Sequence, residues 1–351
     1  MTDYLIVGGG IAGLCYADFC LKHNKSFMVL DDQIRTSSKV AGGMFNPVVL
    51  KRFTSIWHSS EQLALAIPFY KSIEKELNAK FLYELPIYRK FASVEEQNNW
   101  FHACDQPALG HFLNDKISNE KINHIHSNFG FGEVYQTGFL DVNQFIVSYQ
   151  KFLKANDLLE VSSFNYDGID FKEDHVIYNE KAYKNIVFAE GFSMLNNPFF
   201  NHFPLDGTKG ELLIVRIPDL KLDKIVKSGI FIIPFGNDLY KVGATYNWQD
   251  KTDSPTEESK TELLDGLREL IDCDFEVVQH LAGIRPTVKD RRPLIGTHYK
   301  HKQLHLLNGL GTRGVLLGPY LSDLLFSKIE FGIPLDNNVD INRYYKKMQL
   351  K

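Results

Sequence analysis

Several features that would place a chain of 351 residues in a special class are scarce or absent here. Only four cysteines occur, and none forms a C-x-x-C pair or another spacing typical of metal ligands. We therefore expect no metal site and no disulfide framework, as in a reducing compartment. No segment approaches the ~18 apolar residues that a membrane helix needs, and the N-terminus lacks the regions of a signal peptide. These absences predict a soluble, cytoplasmic protein without a membrane partner.

An excess of positive charge is also missing, because the formal net charge is −4. Such a balance does not favour nucleic acid or an anionic membrane as a partner. Two local basic stretches remain, at residues 39–52 and 342–351, and a solvated charged surface is the simpler interpretation of both. With 44% hydrophobic residues, the chain is long enough to bury two cores without cross-links, so two domains are expected.

The first 32 residues contain a nucleotide-binding motif in its expected context. An apolar run at residues 4–7 predicts a buried parallel strand, and a helix is predicted over 11–23. A second apolar strand, at 27–30, ends at two aspartates. This is the βαβ arrangement in which a G-x-G-x-x-G spacing is informative.

Each residue of that motif has a physical task. Gly8 permits the tight turn, Gly10 lets the backbone approach a pyrophosphate, and Gly13 lets helix and strand pack closely. The helix N-terminus faces the phosphate charge, and Asp31 or Asp32 would accept hydrogen bonds from ribose hydroxyls. These residues predict a dinucleotide site and leave NAD and FAD open.

Two later segments are rich in small residues that let backbone pass close to a flat or charged ligand. Gly42 and Gly43 follow the ribose acids, and Ala189 and Gly191 end an apolar strand. Taken alone, the first segment is explained equally well as a plain surface loop, and for the second the plain structural explanation is preferred.

The last third of the chain contains a candidate anion-binding arginine and a second glycine loop. Arg285 precedes Pro286, so its backbone is extended, and its guanidinium suits a bidentate carboxylate. A structural salt bridge is the alternative for this side chain. Residues 309–314 lead directly into a helix, whose N-terminal amides suit an electron-rich ring.

In order along the chain, VGGGIAG, AGGM, TGFLDV, VFAEG, GIRPTVKDRRPLIG and GLGTRGVLLGP resemble the FAD-dependent D-amino-acid oxidase superfamily, which includes glycine oxidase and sarcosine oxidases. The resemblance runs over nearly the whole chain, and R-P-x-x-x-D-x-x-P-x-I-G is its most specific pattern. This pattern and the late glycine loop have no place in a plain NAD dehydrogenase, so the resemblance selects FAD. Segments 311–319 and 333–347 look closest to the oxidase half of a bifunctional tRNA-modifying enzyme.

The resemblance implies a mixed α/β (α+β) fold. A Rossmann-like FAD-binding domain with a βαβ N-terminus would be interleaved with an antiparallel-sheet substrate domain. The FAD-binding domain is expected at residues 1–80, 135–205 and 276–351. The substrate domain is expected at 81–134 and 206–275.

The resemblance also implies FAD contacts, which are non-covalent because no cysteine lies near the late flavin-facing segments. The implied residues are Gly8, Gly10, Ile11, Ala12 and Gly13 at the pyrophosphate; Asp31 or Asp32 at the ribose; Gly42, Gly43 and Met44 along the flavin; Val161 at the adenine; Ala189 and Gly191 beside the cofactor; and Gly309, Gly311, Thr312, Arg313, Gly314 and Val315 at the flavin pyrimidine edge.

For catalysis, the resemblance implies that Arg285 anchors a substrate carboxylate. Lys241 would lie over the flavin and promote reaction with oxygen, or would simply face solvent. Arg52, His58 and Tyr246 would line the substrate pocket. The implied activity is oxidation of the C–N bond of a carboxylate-bearing primary or secondary amine, by hydride transfer to flavin N5. Oxygen or another acceptor would reoxidise the flavin.

Two alternatives stay open. The substrate could be a tRNA wobble uridine from which a carboxymethyl group is removed oxidatively. That reading is not favoured by the net charge and predicts a basic rim at Lys51, Arg52, Arg291, Arg292 and the C-terminal lysines. The second alternative is a non-catalytic flavin-binding redox sensor. The sequence predicts no oligomeric state.

Overall fold

The computed structural model describes residues 1–34 and 37–346. Its strands are β1 (Thr2–Val7), β2 (Phe27–Leu30), β3 (Met44–Phe45), β4 (Val48–Val49), β5 (Thr54–Ser55), β6 (Leu82–Glu84), β7 (Ile87–Lys90), β8 (Phe131–Val134), β9 (Gly138–Leu140), β10 (Leu159–Glu160), β11 (Asp170–Phe171), β12 (Val176–Tyr178), β13 (Lys181–Phe188), β14 (Thr208–Arg216), β15 (Ile225–Lys227), β16 (Phe231–Pro234), β17 (Leu239–Gly243), β18 (Glu276–Arg285), β19 (Leu294–Thr297) and β20 (Leu304–Asn308). Its α-helices are α1 (Ile11–Lys22), α2 (Ser59–Leu77), α3 (Val94–Cys104), α4 (Val142–Ala155), α5 (Glu257–Arg268), α6 (Gly314–Phe331) and α7 (Asn342–Tyr345).

An eight-stranded sheet forms the first layer, with the order β10-β2-β1-β13-β12-β11 and with β20 and β19 joined to β13. Its centre is parallel, because β1 pairs in parallel with both β2 and β13. Residues 4–7 of β1 are all buried, as the continuous apolar run predicts. Helices α1 and α6 pack together over this sheet, so elements from the two ends of the chain share one core.

A seven-stranded sheet forms the second layer, in the order β18-β14-β17-β16-β15-β7-β8. Its pairs are antiparallel except that β15 lies parallel to β7. Helix α5 covers one face, where Leu263 and Leu267 join an apolar cluster with β14 and β16 residues. The predicted antiparallel sheet is therefore present, with one parallel pair added by the earlier segment of the chain.

The boundaries of two predicted segments differ from the structure. Residues 276–285, grouped above with the FAD-binding domain, form β18 and pair along their length with β14 in the second sheet. We therefore propose that this boundary lies after residue 285. The run Ser254-Pro255-Thr256-Glu257 predicts a capping box with Ser254 as N-cap. In the structure Thr256 is the N-cap of α5, because its hydroxyl accepts from the Ser259 amide.

Most other helix predictions are confirmed. The apolar spacing of the sequence predicts a helix from about residue 59 to 77, which is α2, and it predicts Asp141 as the N-cap of a later amphipathic helix. Asp141 does cap α4, by accepting from the amide of Gln144. The aromatic and polar composition of residues 81–131 predicts an irregular substructure, but this stretch contains β6, β7 and α3. All four cysteines are free thiols. Within residues 1–34 and 37–346, no helix is long and apolar enough to cross a membrane.

Candidate functional site

A cavity of about 730 Å³ lies between the two large sheets, at the carboxyl ends of β1, β2 and β13. This is where ligands bind in sheets with parallel strands. The cavity also reaches the late glycine loop, so segments some 300 residues apart share its wall. The predicted cofactor residues that line it are Gly8, Gly10, Ile11, Ala12, Asp31, Asp32, Gly42, Gly43, Met44, Ala189, Gly191, Gly311, Thr312, Arg313, Gly314 and Val315.

The first glycine loop shows why its glycines are required. Gly8 has φ +108°, and a Cβ atom there would lie 2.5 Å from the carbonyl oxygen of Ala189. A Cβ atom on Gly13 would lie 1.9 Å from the carbonyl oxygen of Gly8. Gly13 therefore does not line the cavity but lets α1 approach the loop. The N-terminus of α1, preceded by Gly10, faces the cavity and fits a pyrophosphate.

At the ribose end, Asp31 is held in place by a residue that no motif signals. The side-chain amide of Gln150, on α4, donates to Asp31 Oδ2 and to the carbonyl of Gly9, both at 3.0 Å. Gln150 thus joins the glycine loop to the predicted ribose acid. Asp32 is more exposed, and its Oδ1 accepts from the amide of Ile34.

Glu190 is a second cavity residue that the sequence did not single out, although it lies between two predicted residues. Its carboxylate accepts from the Tyr166 hydroxyl and, at 2.7 Å, from the side-chain amide of Asn197. Burial raises its pKa to about 7, and the nearby charge of Asp32 adds to the increase. Three carboxyl groups therefore gather at this end of the cavity.

The segment 42–44 forms a close-packed ledge along the cavity. Gly43 has φ +75°, and a Cβ there would lie 1.9 Å from the carbonyl oxygen of Leu140. A Cβ on Gly42 would lie 2.8 Å from the ring of Phe231, which comes from the second sheet. Met44 starts β3 and pairs with Phe139. The ledge therefore fits a flat ring passing between the two sheets.

The late loop closes the other end of the cavity. Gly309 has φ +76° and packs against Pro293 and Leu294, so its role is to turn the chain. Arg313 precedes α6, and its guanidinium donates to Gln62 Oε1 at 3.4 Å. Burial lowers the pKa of Arg313 to about 10, and no carboxylate in the described part of the chain forms an ion pair with it. The loop therefore presents a partly buried cation to an electron-rich group.

Arg285 is the last residue of β18 and lies in the cavity wall. Its Nη1 donates to the carbonyls of Lys209 (3.3 Å) and Thr245 (3.1 Å), and its guanidinium lies 4.5 Å from the Tyr246 ring centre. The guanidinium covers Gly210, where a Cβ would lie 1.9 Å from Nη2. Within residues 1–34 and 37–346, Arg285 has no carboxylate partner, and burial lowers its pKa. The structural salt bridge is thus not found in this part of the chain.

Lys241 is not brought to the cavity. Its side chain is buried, with Nζ 4.0 Å from the Phe235 ring centre and 4.0 Å from Asp141 Oδ1. Lys241 and Gly243 lie on the same face of β17, and they are two residues, or about 7 Å, apart along the strand. Burial lowers its pKa. Lys241 therefore packs against aromatic rings outside the cavity lining, and its role in the reaction with oxygen stays a prediction.

A different lysine, Lys227, lines the cavity, and no motif predicts it. Its Nζ donates to the carbonyls of Ser228 (2.7 Å) and Gly229 (2.9 Å). Burial and the charge of Arg89 lower its pKa to about 8. Lys227 thus stabilises the turn that follows β15 while adding positive charge to the wall.

Three further predicted residues lie outside the lining. Val161 is 51% exposed because β10 ends one residue earlier, and the serines that follow it line the cavity instead. Arg52 is exposed, whereas the adjacent Lys51 lines the cavity. His58 is exposed and its Nδ1 lies 2.8 Å from the Tyr320 hydroxyl. Tyr246 does line the cavity, beside Arg285.

Comparison with known proteins gives a family match over most of the chain. The model described as "FAD dependent oxidoreductase" matches residues 3–327. Glycine oxidase of Bacillus subtilis is 22% identical over 365 residues, covering 93% of each chain. The tRNA 5-methylaminomethyl-2-thiouridine biosynthesis bifunctional protein MnmC of Marinobacter nauticus is 26% identical over 190 residues, which span 48% of this chain and 30% of that protein.

Solved structures show the same fold. The crystal structure of glycine oxidase from Geobacillus kaustophilus superposes with a TM-score of 0.76 at 18% identity, covering 95% of each chain. Iminodiacetate oxidase from Chelativorans sp. BNC1 superposes with a TM-score of 0.75 at 14% identity, covering 96% of this chain and 98% of that one.

Proposed function

Because the chain belongs to the FAD-dependent oxidoreductases of the D-amino-acid oxidase family, we propose that it oxidises the carbon–nitrogen bond of a carboxylate-bearing amine. The observation that carries this proposal is Arg285, a partly buried cation in the cavity wall without a carboxylate partner in the described residues. A buried charge is costly unless it is paired, so the natural partner is the carboxylate of a ligand. The names of glycine oxidase and iminodiacetate oxidase agree with such a substrate.

In this proposal, the residues of the chain bind and orient the substrate. FAD, when bound, supplies the acceptor for the hydride that leaves the substrate carbon. Arg285 would hold the carboxylate, with Tyr246 packed beside the guanidinium at the cavity mouth. Fixed orientation of two reactants contributes up to about 7–11 kcal/mol to a rate, so positioning by these two side chains accounts for much of the catalysis.

An anaerobic screen for flavin bleaching tests the proposal. Glycine, other amino acids, N-methyl amino acids and iminodiacetate are each compared with the amine that lacks the carboxylate. We expect bleaching by one or more carboxylate-bearing amines and slow or no bleaching by their counterparts. Equal rates with and without the carboxylate would contradict the proposal, and absence of bleaching by any amine would favour the non-catalytic sensor. The rate of reoxidation in air then shows whether oxygen is the acceptor.

Gly210 gives a steric test of the same site. Because the guanidinium of Arg285 covers its α-carbon, we expect Gly210→Ala to displace the arginine. Overpacking of this kind costs about 1–3 kcal/mol, so the KM of the amine should rise by roughly 5- to 150-fold while FAD stays bound. Stopped-flow flavin reduction measures the change.

Gly229→Ala is the matched control for that substitution. Gly229 also lines the cavity, but nothing lies within 4 Å of the position of its Cβ. This variant should behave as wild type. Equal KM values for the Gly210 and Gly229 variants would show that Arg285 does not need the space above Gly210.

A second candidate function, oxidation of a modified tRNA uridine, is favoured by four exposed basic residues. Lys51 lines the cavity with Arg52 beside it in the chain, whereas Arg291 and Arg292 line a separate, smaller cavity. None of the four pairs with a carboxylate in the described residues. Arg291 lies 5.9 Å from the ring centre of the half-exposed Trp248. Positive charge with exposed aromatic rings is typical of surfaces that bind single-stranded nucleic acid. Two of the C-terminal lysines, at 347 and 351, lie outside the described residues.

A double charge reversal tests this second candidate. We expect Arg291→Glu with Arg292→Glu to weaken binding of an anticodon stem-loop RNA and to reduce the slope of log K against log salt by about 1.4, since each phosphate contact contributes ~0.7 for single strands. Fluorescence polarisation across a salt series measures both. Bleaching by a small amine should not change. An unchanged RNA affinity and slope would remove this candidate.

A further inference from the structure

Behind Arg285 lies a buried pair of charged side chains that the proposed substrate does not reach. Gly210 of β14 faces the guanidinium, so the neighbours Lys209 and Glu211 point to the opposite face of the sheet. Each of these two side chains is only 1% exposed, and Lys209 Nζ lies 3.5 Å from Glu211 Oε1. Two buried charges are unfavourable unless further hydrogen bonds stabilise them.

Most of those further contacts come from one segment, residues 250–256. Lys209 Nζ donates to Asp250 Oδ2 at 2.6 Å, to the Thr252 hydroxyl at 3.3 Å and to the carbonyl of Ser254. Glu211 accepts from the amide of Thr256 at 2.8 Å and from its hydroxyl at 2.9 Å. His280 Nε2 also lies 2.8 Å from Glu211 Oε2.

The backbones of the same two residues hold Thr245 and Asn247, which precede that segment; together they form segment 245–256. The amides and carbonyls of Lys209 and Asn247 exchange hydrogen bonds of 2.9 and 3.0 Å. The amide of Glu211 donates to the Thr245 hydroxyl at 3.0 Å, and its carbonyl accepts from the Thr245 amide at 3.2 Å. Tyr246 lies between these two anchored residues, and the Thr245 carbonyl accepts from Arg285.

This segment has few apolar contacts to fix it. Tyr246 is 61% exposed and Trp248 is 42% exposed. Segments with little apolar burial open locally at low cost in free energy. The position of Tyr246 against Arg285 therefore depends on the polar anchors, and the anchors depend on the buried pair.

We infer that Lys209 and Glu211 are positioning residues for the substrate carboxylate: they fix segment 245–256 so that Tyr246 and the Thr245 carbonyl hold the guanidinium of Arg285 in place. The inference rests on the proposed function, because it assumes that Arg285 binds the carboxylate. It adds a role for a charged pair whose side chains point to the face of the sheet opposite the Arg285 guanidinium.

The test compares carboxylate binding with the chemical step in the FAD-loaded protein. The probes are acetate, glycolate and benzoate, followed by the perturbation of the flavin spectrum, and the amine found by the bleaching screen. We expect Lys209→Met to raise the Kd of the carboxylate and the KM of the amine about tenfold. The limiting rate of flavin reduction should change less than about twofold, because the flavin site is not altered.

Asp250→Ala provides a second variant if Lys209→Met does not fold. It removes the partner of Lys209 on the partly exposed segment and leaves the buried strand unchanged, so the same shift in Kd is expected. Lys224→Met is the matched control, since Lys224 is also a largely buried lysine paired with a glutamate, Glu120, but does not contact segment 245–256. This control should keep the wild-type Kd.

The outcomes separate the inference from the proposed function. If Arg285→Met weakens carboxylate binding while Lys209→Met and Asp250→Ala leave the Kd within twofold of wild type, only the positioning role is overturned. A lower melting temperature without a change in Kd would also overturn it, because that is what a purely structural pair predicts. If Arg285→Met itself leaves the Kd unchanged, the proposed function fails first.

Discussion

Replacing Arg285 with methionine should lower the second-order rate constant for flavin reduction by a carboxylate-bearing amine by roughly 30- to 4,000-fold. Losing one partner of a buried, hydrogen-bonded charge pair costs about 2–5 kcal/mol, and each 1.4 kcal/mol is tenfold. Methionine fills similar space above Gly210 without a charge, so FAD binding should be retained. Anaerobic stopped-flow absorbance gives the rate constant, and the visible spectrum gives the FAD content.

Arg268→Met is the control for this prediction. Arg268 is an exposed arginine that pairs with Asp265 at the surface of α5, away from the cavity. Its loss should change the rate constant little. A further check uses an amine without a carboxylate, whose slow reaction should be similar in wild type and in the Arg285 variant. If the amine reduces the flavin of the Arg285 variant at the wild-type rate, Arg285 does not bind the substrate carboxylate.

Replacing Gly13 with alanine should weaken the binding of FAD. The added Cβ would lie 1.9 Å from the Gly8 carbonyl oxygen, so α1 and the first loop must move apart. Overpacking of this size costs about 1–3 kcal/mol, and the movement also displaces the helix N-terminus from the pyrophosphate. We expect FAD affinity to fall by roughly 10- to 100-fold or more, measured by quenching of FAD fluorescence during titration.

Gly168→Ala serves as the matched control for the Gly13 variant. A Cβ on Gly168 would meet its nearest neighbours at 3.5 Å, an ordinary contact distance. This variant should bind FAD like wild type and should unfold at a similar temperature. If Gly13→Ala bound FAD with wild-type affinity, the close contact between α1 and the first loop would not matter for the cofactor.

The family, the mixed α/β fold and the FAD cofactor were predictable from the sequence and are confirmed by the family match and the superposed structures. The first βαβ unit was readable because all of its signals are local: an apolar run, three glycines and a terminal acid. Helix α2 was readable at both ends for the same reason. The late glycine loop was found because its spacing is also local.

What the sequence could not supply depends on contacts between distant segments. Strand β18 follows α5 in the chain, but its partner β14 lies about 70 residues earlier, and nothing local signals that pairing. Lys241 was expected over the flavin, yet Phe235 and Phe139 cover it. Gln150 is one glutamine on an amphipathic helix, and only the packing of α4 brings it to Asp31. The direction of a side chain and the residues that pack over it are set by the tertiary structure, so local sequence does not predict them.

The way the two ends of the chain share one core has a consequence for biosynthesis. Helix α1 packs on α6, and the cavity needs both Gly10 and Gly314, about 300 residues apart. At ~5–20 residues per second, the ribosome needs roughly 15–60 s to make the second half of the cofactor cradle after the first. During that interval the apolar face of α1 has no partner from α6. The nascent chain should therefore depend on chaperones until α6 emerges, and FAD can be captured only after α6 has been made.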